Sequence, residues 1–172
     1  QNCDVTPFQK DIDFLTAISN DNSIDLQSIL SGAVWVDMYD DETNVIVQRV
    51  QSLDLDGLGI STLDDSIEDL EYLEKLELND NDLTEVPDNI AMLANLKYLD
   101  ISDNLITSLP PTIGDLKQLE ILRIGENSLI SLRSEIGDLE SLTVLRAADN
   151  QITSVSQNLG NLTNLSTFWV HN

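Results

Sequence analysis

The sequence contains few of the residues on which catalytic and metal centres depend. It has one cysteine, Cys3, and one histidine, His171, at opposite ends of the chain. An internal disulfide is excluded, and in a rigid fold this histidine cannot activate the cysteine. Because regularly spaced serines supply no nucleophile with its base and orienting group, we expect no enzyme activity, no cofactor and no metal. For Cys3 three interpretations stay open: a lipidated terminus, a partner for a cysteine outside this sequence, or a free thiol without a role.

Basic residues are also scarce. Eight Lys and Arg stand against 31 Asp and Glu, which gives a net charge of −23. Phosphate binding requires clustered Lys and Arg, so we expect neither nucleic acid nor an anionic membrane as a partner. No apolar run reaches the roughly 18 residues that cross a bilayer, so we expect no membrane insertion. Because the acids are spread along the chain, we interpret them as hydrated surface in a salty medium rather than an acidic docking site.

Most of the chain is a repeat of 23 residues. The pattern is Leu, two variable residues, Leu, one variable, an aliphatic, two variable, Asn, one variable and an aliphatic. Its clear copies start at Leu73, Leu96, Leu119 and Leu142. The pattern extends back to a degenerate copy at Val50, with Leu58 in the Asn position, and forward to an incomplete copy at Leu165. A fixed period of this length predicts a solenoid.

The pattern also predicts how each repeat folds. The alternation at Leu76 and Leu78 indicates a short strand that buries one face, and such a strand is stable only when stacked against its neighbours. Stacking pairs the strands in a parallel sheet. The asparagines follow each strand, where we expect their amides to bond the backbone of the neighbouring repeat. These residues are Asn81, Asn104, Asn127 and Asn150.

The repeat places the chain beside a known family. Residues 50–172 resemble leucine-rich repeat proteins of the LxxLxLxxNxLxxLPxxIxxLxx class. The Pro of that pattern is present at Pro87 and Pro110, whereas Arg133 and Ser156 occupy its later positions. The resemblance implies a right-handed α/β solenoid with a concave parallel β-sheet, convex loops and 3-10 turns, and a role in protein binding. The segment 49–55 is similar to the entry of secreted bacterial and plant members, which implies an extracellular or cell-surface location.

Residues 1–49 are predicted to form an N-terminal cap, and residues 50–172 to form the repeats. Thr6 and Pro7 indicate the start of a helix that ends near Asn20 and Asp21. Its apolar stripe is Phe8, Ile12, Leu15 and Ile18. A cap is required because the first repeat would otherwise expose its leucines and an open strand edge.

The rest of the cap is predicted to contain a second helix and a β-hairpin. The second helix covers residues 23–30, and the hairpin strands cover 33–39 and 45–55. The second strand leads directly into the first repeat. We interpret Trp35 as a plug over the core rather than a ligand platform.

Variable strand residues should align in columns across the concave face. The middle column is Asp54, Glu77, Asp100, Arg123, Arg146 and Trp169, and the column beside it is Ser52, Lys75, Tyr98, Ile121, Val144 and Thr167. The middle column changes from acidic to basic and aromatic halfway along the chain. Exposed aromatic, apolar and Arg side chains are typical of interface hot spots. We therefore predict a partner-binding patch for a protein or polysaccharide at Tyr98, Ile121, Arg123, Val144, Arg146 and Trp169.

Other patterns receive simpler interpretations. A column of carboxylates precedes the asparagines, at Asp80, Asp103, Glu126 and Asp149. A straight row does not converge on one cation, so we interpret it as a solvated rim. The glycosylation patterns at Asn161 and Asn164 are interpreted as repeat framework.

An alternative function to recognition is a structural or adhesive spacer in a longer extracellular protein. The incomplete last repeat favours a longer parent chain. We also expect the strand at residues 165–170 to permit end-to-end self-association.

Overall fold

The computed structural model describes residues 7–40 and 45–171, which form a solenoid behind a short cap. One sheet of seven strands runs along it in the order β1-β2-β3-β4-β5-β7-β9. These strands are β1 (Ala33–Asp40), β2 (Val45–Asp54), β3 (Lys75–Glu77), β4 (Tyr98–Asp100), β5 (Ile121–Arg123), β7 (Val144–Arg146) and β9 (Thr167–Trp169). The first pair is antiparallel and the other neighbours are parallel. The predicted solenoid with a concave parallel sheet is therefore confirmed.

The outer side of each repeat is a single 3-10 turn. The turns are Asp65–Asp69, Asp88–Met92, Pro111–Asp115, Ser134–Asp138 and Gln157–Asn161. A second, two-stranded sheet pairs β6 (Ser131–Leu132) with β8 (Ser154–Val155) on the flank. The absence of full convex helices was predicted from the short, proline-containing segments. Within the described ranges no helix is long and apolar enough to cross a membrane.

The leucines of the pattern form one continuous core. The central strand positions are fully buried, at Leu53, Leu76, Leu99, Leu122 and Leu145. Isoleucines of the 3-10 turns close the core from the other side, at Ile67, Ile90, Ile113 and Ile136. In the last repeat Phe168 is 40% exposed because the described chain places no further strand beyond β9.

The predicted asparagine ladder is present. Asn104 accepts a hydrogen bond from the Leu83 backbone N–H at 2.9 Å and donates to the Leu78 carbonyl at 2.9 Å, both in the preceding repeat. The other three asparagines make the equivalent pair of bonds. Each amide thus satisfies backbone groups in the tight bend after the strand, which an apolar side chain would leave without partners.

The residue before each asparagine adopts a left-handed backbone. Asp80, Asp103, Glu126 and Asp149 have φ between 51 and 57°. In the degenerate first repeat Gly57 occupies this position at φ 65°. These carboxylates are exposed, in agreement with the solvated rim. The described residues contain no cluster of His, Cys, Asp or Glu able to hold a metal ion.

The cap has the predicted elements with two differences. α1 (Pro7–Asn22) buries Asp11, Phe14, Leu15 and Ile18. Of the predicted stripe, Leu15 and Ile18 are buried and Ile12 is half-buried, whereas the buried Asp11 and Phe14 were not predicted; Thr6 and the Phe8 side chain lie outside the described part. α2 (Leu26–Ser31) starts later than predicted because Ser23 is left-handed and Asp25 is the N-cap.

A buried ion pair joins the cap to the first repeat. Asp11 and Arg49 are 0% and 2% exposed, and both Asp11 oxygens lie 3.0–3.1 Å from the Arg49 Nε. Asp11 also accepts from the Val50 backbone N–H at 2.8 Å, and the guanidinium lies 4.6 Å from the Tyr72 ring centre. Trp35 is partly buried and packs against the core, in agreement with its predicted place over the core.

Candidate binding surface on the concave sheet

The two predicted columns exist with the predicted partners. Asp54 pairs with Glu77, Glu77 with Asp100, and the column continues through Arg123 and Arg146 to Trp169. In the neighbouring column Tyr98, Ile121 and Val144 are adjacent. The repeat length fixes this alignment, because equal spacing brings equivalent residues onto neighbouring strands about 4.8 Å apart. All six predicted patch residues therefore lie on one continuous strip of the sheet.

Exposure differs along this strip. Trp169 is 49% exposed, and the Arg123 side chain is 36% exposed. Tyr98, Ile121 and Val144 are predicted to be exposed, but the structure shows each of them half-buried. The difference arises because side chains on strands at this spacing cover one another. The surface offered to a partner is thus the edges and tips of these side chains.

Asp100 was assigned to the acidic half of the column, and the structure shows that it supports the basic half. It is 4% exposed and accepts from the Tyr98 hydroxyl at 3.2 Å and from Arg123 Nη1 at 3.3 Å. The Ser102 hydroxyl and backbone N–H donate to its other oxygen. Asp100 therefore fixes both Tyr98 and Arg123. The polar residues two positions to either side of Asp100 are the sequence signal that would have indicated this.

Tyr98 lies between two cations. The Lys75 ammonium is 5.2 Å and the Arg123 guanidinium 5.3 Å from its ring centre. Burial, followed by the nearby Asp100 carboxylate, raises the pKa of Tyr98 to about 12. The phenol therefore stays protonated at physiological pH and donates its hydrogen to Asp100.

Arg146 and Trp169 form the other end of the patch. The Arg146 guanidinium lies 4.7 Å from the Trp169 ring centre, and Trp169 is 6.5 Å from the His171 ring. These three residues line a shallow cavity of about 290 Å³ together with Arg123, Glu126 and Asp149. The cavity joins two guanidinium groups, an indole face and an imidazole.

The first half of the concave face is acidic. Glu77 is paired with Lys75 at 2.7 Å, whereas Asp54 is exposed and Asp56 is half-buried. Desolvation raises the pKa of Asp56 to about 6, and the charges of Asp54, Glu77 and Asp100 add to this effect. The concave surface is thus divided into an acidic half and a basic, aromatic half.

A second cavity, about 750 Å³ in volume, lies on the flank and was not predicted. It is lined mainly by hydroxyl-bearing residues such as Ser128, Ser131 and Ser134, with Ile130 and Arg133. These positions lie outside the strand columns, and they do not follow the alternation of the strands. The glycosylation pattern at Asn164 has a structural role, since its amide donates to the Glu140 carbonyl of the preceding repeat at 2.9 Å.

Two sequence profiles match the chain. A profile for a leucine-rich repeat region matches residues 88–172, and a second leucine-rich repeat profile matches residues 48–106. Together they cover the chain from residue 48 to its end. No curated relative matches the sequence.

Several solved structures are similar to this chain. The leucine-rich repeat ectodomain of the receptor kinase SOBIR1 from Arabidopsis thaliana is 23% identical with a TM-score of 0.82, and the match covers 94% of this chain and 92% of that one. An internalin C2 from Listeria monocytogenes is 29% identical with a TM-score of 0.62, over 72% of this chain and 52% of that one. The plant peptide hormone receptor RGFR1, solved in complex with RGF2, is 26% identical with a TM-score of 0.61, over 71% and 20%. The chain thus spans about half or less of the last two proteins.

Proposed function

The chain is a leucine-rich repeat protein, and we propose that it is a non-catalytic recognition module that binds a protein partner on its concave face. The observation that carries this proposal is the change of the middle column from acids to Arg123, Arg146 and Trp169. The proposed contact residues are Tyr98, Ile121, Arg123, Val144, Arg146 and Trp169.

The chemistry of the patch supports a binding role. Arg, Tyr and Trp are the side chains that most often dominate binding energy at protein interfaces. Here Arg123 is fixed by Asp100, and Arg146 is stacked on Trp169. Side chains held in this way lose little conformational freedom on binding, so more of the contact energy becomes affinity. The strip also lies on a sheet rather than on loops, which keeps its geometry constant.

The similar structures support the same class of function. RGFR1 is a plant peptide hormone receptor and was solved in complex with RGF2, so a protein that contains this fold can be a receptor for a peptide. From RGFR1 we infer for this chain only the class of ligand, a polypeptide. The resemblance to secreted family members supports a location outside the cell or on its surface, which we propose with the same function.

The test is a capture experiment in about 0.5 M salt, where the net charge of −23 is screened beyond a few ångströms. The concave variant carries Arg123→Ala, Arg146→Ala and Trp169→Ala. A flank variant with Arg133→Ala, Lys117→Ala and Met92→Ala removes the same two charges and one large exposed side chain elsewhere. Each immobilised protein is exposed to cell-surface extracts and, in a separate arm, to polysaccharides.

Specific capture by the wild type and flank variant, lost in a concave variant with an unchanged unfolding curve, is the expected result. Equal capture by all three proteins would contradict the concave site and favour the spacer alternative. Capture from the polysaccharide arm alone would replace the protein partner with a carbohydrate. Self-association through β9 is a separate prediction, tested by sedimentation of the wild type at increasing concentration.

A further inference from the structure

We propose that the cavity on the flank of the solenoid is a binding site for a neutral carbohydrate chain. The cavity has a volume of about 750 Å³, which is within the ~300–1,000 Å³ that is common for ligand sites in proteins. It is formed mainly by the repeat at residues 119–141, outside the strands of the concave sheet. The proposal therefore goes beyond the function proposed for the concave patch.

The first observation is that side chains of this repeat depart from the repeat pattern at the cavity. Ile130 stands at the position that Thr107 occupies in the preceding repeat. Arg133 stands at the position of Pro110, with φ −67° and ψ 160° against −65° and 149° for the proline, so the backbone there does not require an arginine. Repeat stacking thus explains neither Ile130 nor Arg133, and both side chains line the cavity.

The second observation is that the lining has no net charge. It contains one cation, Arg133, and one anion, Glu135, whose charged groups lie 3.8 Å apart. The equivalent flank cavity between the first two repeats is instead lined by three acids, Asp65, Glu85 and Asp88. On a chain of net charge −23 an anion would be repelled, and a cation would be drawn to the acidic cavity. The neutral cavity therefore indicates an uncharged ligand.

The third observation is that most of the lining can both donate and accept hydrogen bonds. The neutral polar side chains of the lining are Thr107, Ser108, Ser128, Ser131, Ser134 and Gln151. Hydroxyl and amide groups act as donors and as acceptors, and the hydroxyls of a sugar do the same. The two sets of groups can therefore pair without any charge. A peptide would require several apolar or charged contacts, whereas the cavity has one large apolar side chain, Ile130.

Ile130, Arg133 and Glu135 complete the site. Ile130 is 62% exposed and can pack against the apolar C–H face of a sugar ring. The Ser134 hydroxyl donates to the Glu135 carboxylate at 2.9 Å. The Glu135 backbone N–H, the Ser134 hydroxyl and Arg133 hold the pKa of Glu135 below its usual value, so the carboxylate stays ionised. This carboxylate and the Arg133 guanidinium are planar groups, each able to contact two neighbouring hydroxyls of a sugar.

The test uses nuclear magnetic resonance of the full chain, with the Arg133 Nε–H, the Ile130 methyls and the Gln151 amide as reporters of the cavity. The neutral probes are cellotetraose, laminaritetraose and mannotetraose. The anionic probe is tetragalacturonate, and the peptide probe is acetyl-Ala-Ser-Ala-Ser-amide. Each is titrated to about 10 mM, so that dissociation constants of about 1 mM are resolved.

We expect saturable shifts of the cavity signals with at least one neutral tetrasaccharide, and none with tetragalacturonate or the peptide. The Trp169 indole signal should not move, since Trp169 lies on the concave sheet. No saturable shift with any of the three neutral probes would overturn the proposal. So would tighter binding of tetragalacturonate or of the peptide.

Two double variants locate the binding. Ile130→Thr, Arg133→Pro introduces the residue types that the preceding repeat has at these positions, so we expect it to fold. It should weaken binding of the responding tetrasaccharide by about tenfold or more, because the apolar contact and the guanidinium are both lost. Met92→Thr, Lys117→Gln removes an exposed apolar side chain and a cation outside the cavity, and should leave the affinity unchanged within about twofold.

A single substitution keeps the test valid if the first double variant unfolds at lower urea concentration than the wild type. Arg133→Gln keeps the size and polarity of the side chain and should weaken binding by about fivefold. Equal affinities of the Arg133 and Lys117 variants would contradict the flank site.

The capture experiment separates this site from the concave one. In its polysaccharide arm the flank variant, which lacks the Arg133 side chain, should lose capture while the concave variant retains it. Loss in the concave variant alone would place carbohydrate binding on the concave sheet and overturn this inference. A protein partner that depends on the concave patch, with no shift by any tetrasaccharide, would overturn this inference and leave the proposed function intact. Polysaccharide held through the flank, with no protein captured, would support the flank site and count against the proposed function.

Discussion

Replacing Asp11 with Asn removes one charge from the buried contact that joins the cap to the repeats. The Asn side chain has nearly the same shape and can still accept from the Val50 N–H, so the main change is the loss of charge opposite Arg49. Leaving one member of a buried ion pair without its partner typically costs about 3–5 kcal/mol. Since Arg49 is 2% exposed, water cannot compensate, and we expect a loss in this range.

A second substitution separates the ion pair from packing. In the double variant Asp11→Asn, Arg49→Met no buried charge remains, and the apolar side chain fills similar space. The double variant still loses the contact with Tyr72 and the bond to the Asp69 carbonyl, so we expect a cost of about 1–2 kcal/mol. The double variant should therefore be more stable than Asp11→Asn alone, which is the signature of coupled residues.

The assay is urea unfolding followed by far-UV circular dichroism at fixed salt. Asp13→Asn is the matched control, because Asp13 is exposed on the same helix and its replacement should change the unfolding free energy by less than about 0.5 kcal/mol. A cost below about 1 kcal/mol for Asp11→Asn would refute the reasoning. So would a double variant whose cost equals the sum of the two single variants.

Three further predictions concern the repeats, each measured as a change in unfolding free energy. Asn104→Ala leaves buried backbone groups of two repeats without partners and should cost about 3 kcal/mol or more; a cost under 1 kcal/mol would contradict the ladder's role. Gly137→Ala should cost about 2 kcal/mol because a Cβ there lies 2.2 Å from the Asn158 carbonyl oxygen. The control is Gly160→Ala, whose Cβ meets nothing within 4 Å, so its unfolding free energy should not change. Equal effects of the two substitutions would contradict the steric explanation. Because the pKa of Asp56 is raised from 3.8 to about 6, its stabilising contribution is present below pH 3.8 and is lost as the pH rises through about 6. The unfolding free energy of Asp56→Asn should therefore rise relative to that of the wild type across that pH interval. A difference that stays constant with pH would contradict the raised pKa of Asp56.

The repeat architecture was predictable because each of its features recurs. Equal spacing determines the strand partners of Arg123 on both sides, and the positions of the asparagines indicate that they bond the backbone. The left-handed backbone at Asp80 was not anticipated, although Gly57 at the equivalent position is a signal for it. Periodicity thus predicts the position of each residue in the repeat, but it does not predict the backbone conformation of the bend after each strand.

The cap and the site's internal contacts were harder to predict because they depend on single residues. Counting apolar positions on α1 could not include Asp11, whose burial depends on Arg49, 38 positions later. Asp100 was assigned to the acidic half for a similar reason, since its partners come from its own strand and the next one. The missing information is the pairing of Asp11 with Arg49, 38 positions apart, and of Asp100 with Arg123, 23 positions apart.

The central claim is that the basic, aromatic half of the concave sheet binds the partner. Its most direct test is the affinity of the captured partner for the wild type, the concave variant and the flank variant, measured by calorimetry in about 0.5 M salt. We predict that the concave variant binds about 30-fold more weakly or worse, which corresponds to one hot spot of 2 kcal/mol, while the flank variant matches the wild type. Equal affinities for the concave and flank variants would contradict the claim.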